Sequence, residues 1–197
     1  MTPTRNLQLV LASTSPYRCN LLSKLGIPFL TVNPGTDEGM LPDESPAELA
    51  LRLALAKSRA GAKQNDHGFV IGSDQVACLE EMTLGKPGTM ERAIEQLRSS
   101  SGRWVEFHTA IAVTDAASGK SISRLETTRV HYRELSDPQI IRYLEAERPF
   151  DCAGSFKSEG LGIALFREIQ GRDPNALIGL PLIALVDLLE TFGVTIP

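Results

Sequence analysis

The chain has 197 residues, 42% of them hydrophobic, which is enough for one good-sized globular core and excludes disordered and fibrous classes. With 20 Lys+Arg against 24 Asp+Glu and a formal net charge of −4, it lacks the overall basic character of a protein that coats nucleic acid. Its longest apolar stretch, ALIGLPLIALV, is broken by Gly179 and Pro181 and stops at Asp187, short of the roughly 20 residues that span a bilayer, so no membrane partner is expected.

The run LQLVLA at 7–12 predicts a buried strand. Ser15 as N-cap and Pro16 at the first helical position then open a helix whose apolar face is Leu21, Leu22 and Leu25, and which Gly26 ends. A second strand, IPFLTVNP, leads into the acidic loop GTDEGMLPDE. Ser45 and Glu48 form a capping box for a long helix, SPAELALRLALAKSRAG. FVIGSDQVACL reads as a strand, with Gly72 marking a bend or a close backbone approach just before Asp74.

A turn through EEMTLGKPG precedes a helix capped by Thr89 and followed by Gly102. WVEFHTAIAVTD and SISRLETTRVHYREL flank the turn AASGK as a long antiparallel hairpin. Ser136 and Gln139 open another helix, which stops before Pro149. The last third contains the glycine-punctuated CAGSFKSEGLG, a strand IALFREIQ, the loop GRDPNALIGLP and a final apolar helix, LIALVDLLETFG. No internal repeat or linker divides the chain, so residues 1–197 are expected to form a single α/β domain with a mixed sheet.

Cys19, Cys78 and Cys152 are too far apart for a C-x-x-C motif, and their odd count argues against a disulfide framework, so they are read as small core hydrophobes. His67, His108 and His131 form no recognisable catalytic or zinc-binding spacing and are given no chemical role. The short apolar run near the start falls below the length of a secretory signal, and a cytoplasmic location is the default expectation.

Chemistry collects elsewhere. Ser13 and Ser15 precede a helix N-terminus, where free N–H groups and the positive dipole end suit phosphate. Arg18 stands in the first helical turn, against the dipole, and therefore calls for an anionic partner. Asp74, just past a strand, can hold a divalent cation or activate water. Lys86 in GKPG can present charge to phosphate, Lys57 late in a helix suits the C-terminal dipole and by itself reads as a surface lysine, and Asp37 and Glu38 can add oxygen ligands for a cation. Taken singly, each has a bland counterpart: a cap, an Asx turn, an exposed lysine, a solvated acidic loop. Together they are the parts of Mg²⁺-assisted phosphoryl or nucleotidyl chemistry.

The segments LASTSPYRCNLL, ESPAELALRLALAKSRAG, VIGSDQV, GKP and AGSFKSEGLG...GRDPNALIGLPL resemble, in order, the motifs of the Maf family of nucleoside triphosphate pyrophosphatases. The resemblance implies an α/β fold of two lobes around a cleft, related to the inosine triphosphate pyrophosphatases. It also implies cleavage of a nucleoside triphosphate to monophosphate and pyrophosphate with a divalent cation, Mg²⁺ or Mn²⁺. Asp74 corresponds to the family's catalytic acidic residue, Ser13, Ser15, Arg18, Lys57 and Lys86 to its phosphate contacts, and Glu38, with Asp74, to its metal site.

Three positions depart from the commonest family pattern: Tyr17 in place of arginine, Gln75 in place of threonine, and Glu159 in FKSEG in place of a glutamine-glycine motif; the resemblance implies that all three face the base and set base specificity. This set is similar to the subfamily that acts on 7-methyl-GTP, where the first position is more often tryptophan, whereas the Arg/Thr/Gln set goes with dTTP and UTP. A pyrimidine pyrophosphatase and a nucleotide-binding regulator of cell division without useful catalysis are the alternatives. A homodimer is left open.

Overall fold

The structure, a computed structural model, describes residues 8–80 and 82–196. Its strands are β1 (Leu9–Ala12), β2 (Phe29–Val32), β3 (Phe69–Leu79), β4 (Met82–Leu84), β5 (Trp104–Asp115), β6 (Ser121–Tyr132) and β7 (Phe166–Gln170). Its α-helices are α1 (Pro16–Ser23), α2 (Pro46–Ala62), α3 (Met90–Ser100), α4 (Asp137–Glu147) and α5 (Leu182–Thr191), with 3-10 turns at Ala153–Ser155, Leu161–Leu165 and Ala176–Ile178. The strands join in one mixed sheet in the order β2-β1-β3-β5-β6-β7, with β4 pairing the far end of β3.

The helix starts follow the side-chain chemistry expected of them. Ser45 and Glu48 bond each other's backbone N–H, Thr89 accepts from Arg92 N, and Gln139 Oε1 accepts from Ser136 N. Strand boundaries shift more. Leu7 lies outside the described residues, α1 closes at Ser23 before Leu25, and β2 is confined to the middle of its expected run. The turn after Leu79 contains the short β4, whose residues Met82 to Leu84 pair antiparallel with β3. IALFREIQ begins as a 3-10 turn and becomes extended only at Phe166.

Alternation along β3 divides the molecule. Val70 and Val76 turn to the face covered by α2, where Leu49, Ala50, Leu53 and Ala54 complete an apolar cluster around Val76. Ile71, Ala77 and Leu79 turn to the other face, which carries two separate cores. One is built with Leu21, Leu22 and Leu185 of α1 and α5, the other with Leu97, Ile140 and Leu144 of α3 and α4. These are the two lobes.

The lobes leave an opening because the β3 edge is only partly used. Leu9 to Leu11 pair with Phe69 to Ile71, and Leu84 to Met82 pair with Ala77 to Leu79. Among the described residues no strand pairs with 72–76 on that side. Asp74 and Gln75 therefore stand at a gap between the end of β1 and Leu84, the end of β4, next to β1, the strand flanked by β2 on one side and β3 on the other. Such a switch point is where open α/β sheets hold ligands. No helix among the described residues is long and apolar enough to cross a membrane.

Candidate active site

The gap opens into a cavity of about 690 Å³, and Ser13, Ser15, Tyr17, Arg18, Glu38, Lys57, Asp74, Gln75, Lys86 and Glu159 all line it. Ten residues spread over 147 positions of sequence thus meet at one site, while Asp37 turns away and caps its own loop by accepting from Gly39 N.

The β1–α1 turn presents the first group. Ser13 Oγ accepts from Ser15 N at 3.1 Å, and Ser15 Oγ accepts from Arg18 N at 3.4 Å. Each hydroxyl keeps its own proton to donate to a phosphate oxygen. Arg18 Nε donates to Gly179 O at 2.9 Å, leaving the terminal N–H groups of the fork for a ligand. Burial lowers the guanidinium pKa, and the charges of Asp74 and Glu38 oppose that shift, so the anionic neighbours demanded by its place in the helix are present.

The second group corrects the reading of Lys57 as a surface residue. It is 5% exposed, because the last turns of α2 lie against β3, and its ammonium is held between two carboxylates. Nζ is 2.5 Å from Glu38 Oε1 and 2.6 Å from Asp74 Oδ1. The Lys57 hydrogen bond holds Glu38 below the usual carboxylate range against partial desolvation, with Lys57, Lys86 and Arg18 adding their charge. Two carboxylates within reach of a single cationic atom form an oxygen-only donor pair, the type that suits Mg²⁺ or Mn²⁺.

Gln75 lines the cavity but presents only part of its amide to it. Nε2 lies 2.9 Å from Thr109 Oγ1 and 3.0 Å from both Ala176 O and Leu177 O, so the nitrogen is committed to the 3-10 turn across the sheet. Only Oε1, an acceptor, is left for a ligand.

On the rim, Tyr17 OH donates to Asp151 Oδ2 at 3.3 Å, and Lys157 Nζ stands 5.9 Å above the Tyr17 ring. Burial raises the Tyr17 phenol pKa, with Cys152 and Asp151 adding to the shift. Glu159 and Lys86, which both line the cavity, are exposed. The cysteines are free; Cys78 is buried, whereas Cys19 and Cys152 are half-buried, and burial pushes the Cys152 thiol up to about 12.

Residues 8–192 match the family model described as Maf-like protein. The chain belongs to the Maf family. It is 54% identical to a 7-methyl-GTP pyrophosphatase of Polaromonas sp. (strain JS666), over 100% of this chain and 89% of that one. It is 50% identical to a 7-methyl-GTP pyrophosphatase of Vibrio vulnificus, over 97% and 98%. Among solved structures, the Staphylococcus aureus Ham1 protein overlaps 64% of this chain and 72% of its own at 18% identity, with a TM-score of 0.46.

In this Maf chain the loop between β7 and α5 contributes residues that the sequence pattern does not single out. Gly179 O accepts from Arg18 Nε and lies 2.9 Å from Ser73 Oγ, so it ties Arg18 to β3. Asp173, 2% exposed, organises the loop by accepting from Asn175 N at 2.8 Å and from Ile183 N at 2.6 Å. The second bond substitutes for the missing side-chain cap of α5, whose N-cap is Pro181. The Asp-Pro-Asn run was the available signal, since Asp bonds its own backbone two residues on in turns. Asp173→Ala strands those part-buried donors and is expected to cost about 2 kcal/mol, read as a lower urea midpoint with an unchanged slope.

Proposed function

We propose that this Maf chain hydrolyses 7-methyl-GTP to 7-methyl-GMP and pyrophosphate. The observation that carries the reaction is the Glu38–Lys57–Asp74 cluster, open to the same cavity as Arg18 and the α1 N-terminus. Asp74 orients a water and takes its proton as the oxygen attacks the α-phosphorus and the bond to the bridging oxygen breaks. Pyrophosphate leaves with its charge offset by Arg18, Lys57 and Lys86. Asp74 and Glu38 would hold the divalent cation, which supplies further positive charge against the triphosphate when bound.

The base reading rests on polarity. With the Gln75 nitrogen committed to backbone, Gln75 Oε1 and the Glu159 carboxylate both offer acceptors, which complement the N1–H and N2–H donors of guanine. Thymine and uracil offer a single N3–H between two carbonyl oxygens, so one acceptor meets an oxygen, a mismatch that costs about 1–3 kcal/mol once the bound base covers it. The Tyr17 ring already carries the Lys157 ammonium over one face. The cationic ring of 7-methylguanine is attracted to an aromatic face by roughly 0.5–2 kcal/mol. Removal of modified nucleotides is the role we assign to such an activity.

The test is pyrophosphate release with Mg²⁺ or Mn²⁺ across 7-methyl-GTP, GTP, dTTP, UTP and CTP. The expected result is a kcat/KM for 7-methyl-GTP at least about tenfold above the pyrimidine nucleotides, the equivalent of one such mismatch. A dTTP or UTP preference would keep the reaction and refute the base pocket, and no turnover on any nucleotide would favour a binding regulator. Combining Tyr17→Arg, Gln75→Thr and Glu159→Gln is expected to raise the dTTP to 7-methyl-GTP activity ratio.

A further inference from the structure

Two rungs of the sheet beyond α2 bring together side chains from three strands. Cys78 pairs with Glu106 and Glu106 with Arg129, while Val76 pairs with His108 and His108 with Thr127. Alternation puts Cys78, Glu106 and His108 on one face, the face α2 covers at Val76. Cys78 lies one step further out, is 3% exposed, and belongs to none of the four apolar clusters.

The ligand atoms of Cys78, Glu106 and His108 all lie within 4.8 Å of one another. Small side-chain rotations close that span onto one ion at zinc-like bond lengths of roughly 2.0–2.3 Å. Their orientation suits ligation. His108 Nδ1 is 3.1 Å from Thr127 Oγ1, which can accept its proton and leave the Nε2 lone pair free; Nε2 is 3.7 Å from Glu106 Oε2. Arg129 Nε holds the other carboxylate oxygen, Glu106 Oε1, at 3.2 Å. Both ligands thus have the outer partner that metal-binding His and carboxylate groups characteristically have. Burial also lowers the His108 pKa, favouring the neutral ring that ligation requires, although it raises that of the Cys78 thiol.

We propose that Cys78, Glu106 and His108 form a binding site for a thiophilic divalent ion, Zn²⁺ in the first place, distinct from the oxygen-only pair at Asp74. Four steps along the strand, about 13 Å at 3.3 Å each, separate Cys78 from Asp74. Binding deprotonates the Cys78 thiol, the proton passing to solvent, and the sulfur, the imidazole nitrogen and one carboxylate oxygen coordinate the ion with a water in the fourth position. Thiolate ligation selects against Mg²⁺ and Mn²⁺, so the two sites differ in the ions they take. The His108 side chain is 13% exposed and that of Glu106 42%, which leaves a path for entry.

Co²⁺ titration of the chelator-treated full-length protein tests this. The expected result is one equivalent bound with a thiolate-to-cobalt charge-transfer band in the near ultraviolet, displaced by Zn²⁺. The band should persist in Asp74→Asn and in the Cys19→Ser, Cys152→Ser double variant, vanish in Cys78→Ser, and require at least tenfold more Co²⁺ in His108→Ala. The absence of the band in the parent protein, or its survival in folded Cys78→Ser, would overturn the site and leave Glu106 as a cross-strand ion-pair partner. Should Cys78→Ser fail to fold, an unchanged Co²⁺ affinity in His108→Ala would have the same force.

Discussion

Replacing Asp74 with Asn is expected to lower kcat for pyrophosphate release by 10²- to 10⁴-fold, the usual contribution of a positioned general base, while thermal unfolding stays within a few degrees of the parent. The substitution is isosteric and leaves an amide oxygen able to accept from Lys57. The lysine keeps its 2.5 Å contact with Glu38, so its buried ammonium is not left unpaired. What disappears is the second carboxylate, and with it both the proton acceptor and half of the cation-holding pair of the proposed mechanism. KM should change much less than kcat, because the proposed triphosphate contacts of the serines, Arg18 and Lys86 are left in place. Near-parental turnover in folded Asp74→Asn, measured by pyrophosphate release, would remove Asp74 from the chemistry.

Gly72→Ala should be the most damaging single-methyl change in the sheet. A Cβ at residue 72 would lie 2.3 Å from Ala54 O and 2.4 Å from Ser58 N, both backbone atoms of α2. Neither can rotate away, so helix and strand must separate. Overpacking of well-packed interiors costs 1–3 kcal/mol and occasionally more, and rigid backbone on both sides places this case at about 3 kcal/mol or above. For a chain of this size that is a fall in Tm of roughly 6–12 °C. The same displacement moves the end of α2 that carries Lys57, so activity of the folded fraction should fall as well. Gly85→Ala is the control: a Cβ there meets nothing within 4 Å, and its effect on Tm should be close to zero. An unchanged Tm in Gly72→Ala would mean that the close approach of α2 is not required.

Much of this architecture was legible locally. Helix starts such as Ser45 with Glu48, and the hairpin around 116–120, depend on residues a few positions apart, so the spacing alone specifies them. The close approach at Gly72 was also readable, because only glycine leaves room for backbone against backbone. The limits lie where stability comes from distant partners. β4 is three residues long and exists because the end of β3 offers it an unpaired edge. β7 is similarly short, and a 3-10 turn displaces its start to Phe166.

The candidate site divides along the same line. Residue types at Ser13, Ser15, Arg18, Asp74 and Lys86, in their local settings, suffice to suggest phosphate chemistry, since hydroxyls at a helix N-terminus and a cation against its dipole carry meaning wherever they occur. That Lys57 is buried between Glu38 and Asp74, that the Gln75 amide spends its nitrogen on Ala176 and Leu177, and that Asp173 holds the loop reaching Arg18 are decided only by tertiary packing. So is the meeting of Cys78, Glu106 and His108, whose separation along the chain hides a contact that one register of β3 against β5 creates. Local free energies determine caps, turns and periodicity, whereas the fate of a charge, an amide or a thiol depends on which side chains the fold brings within a few ångströms of it.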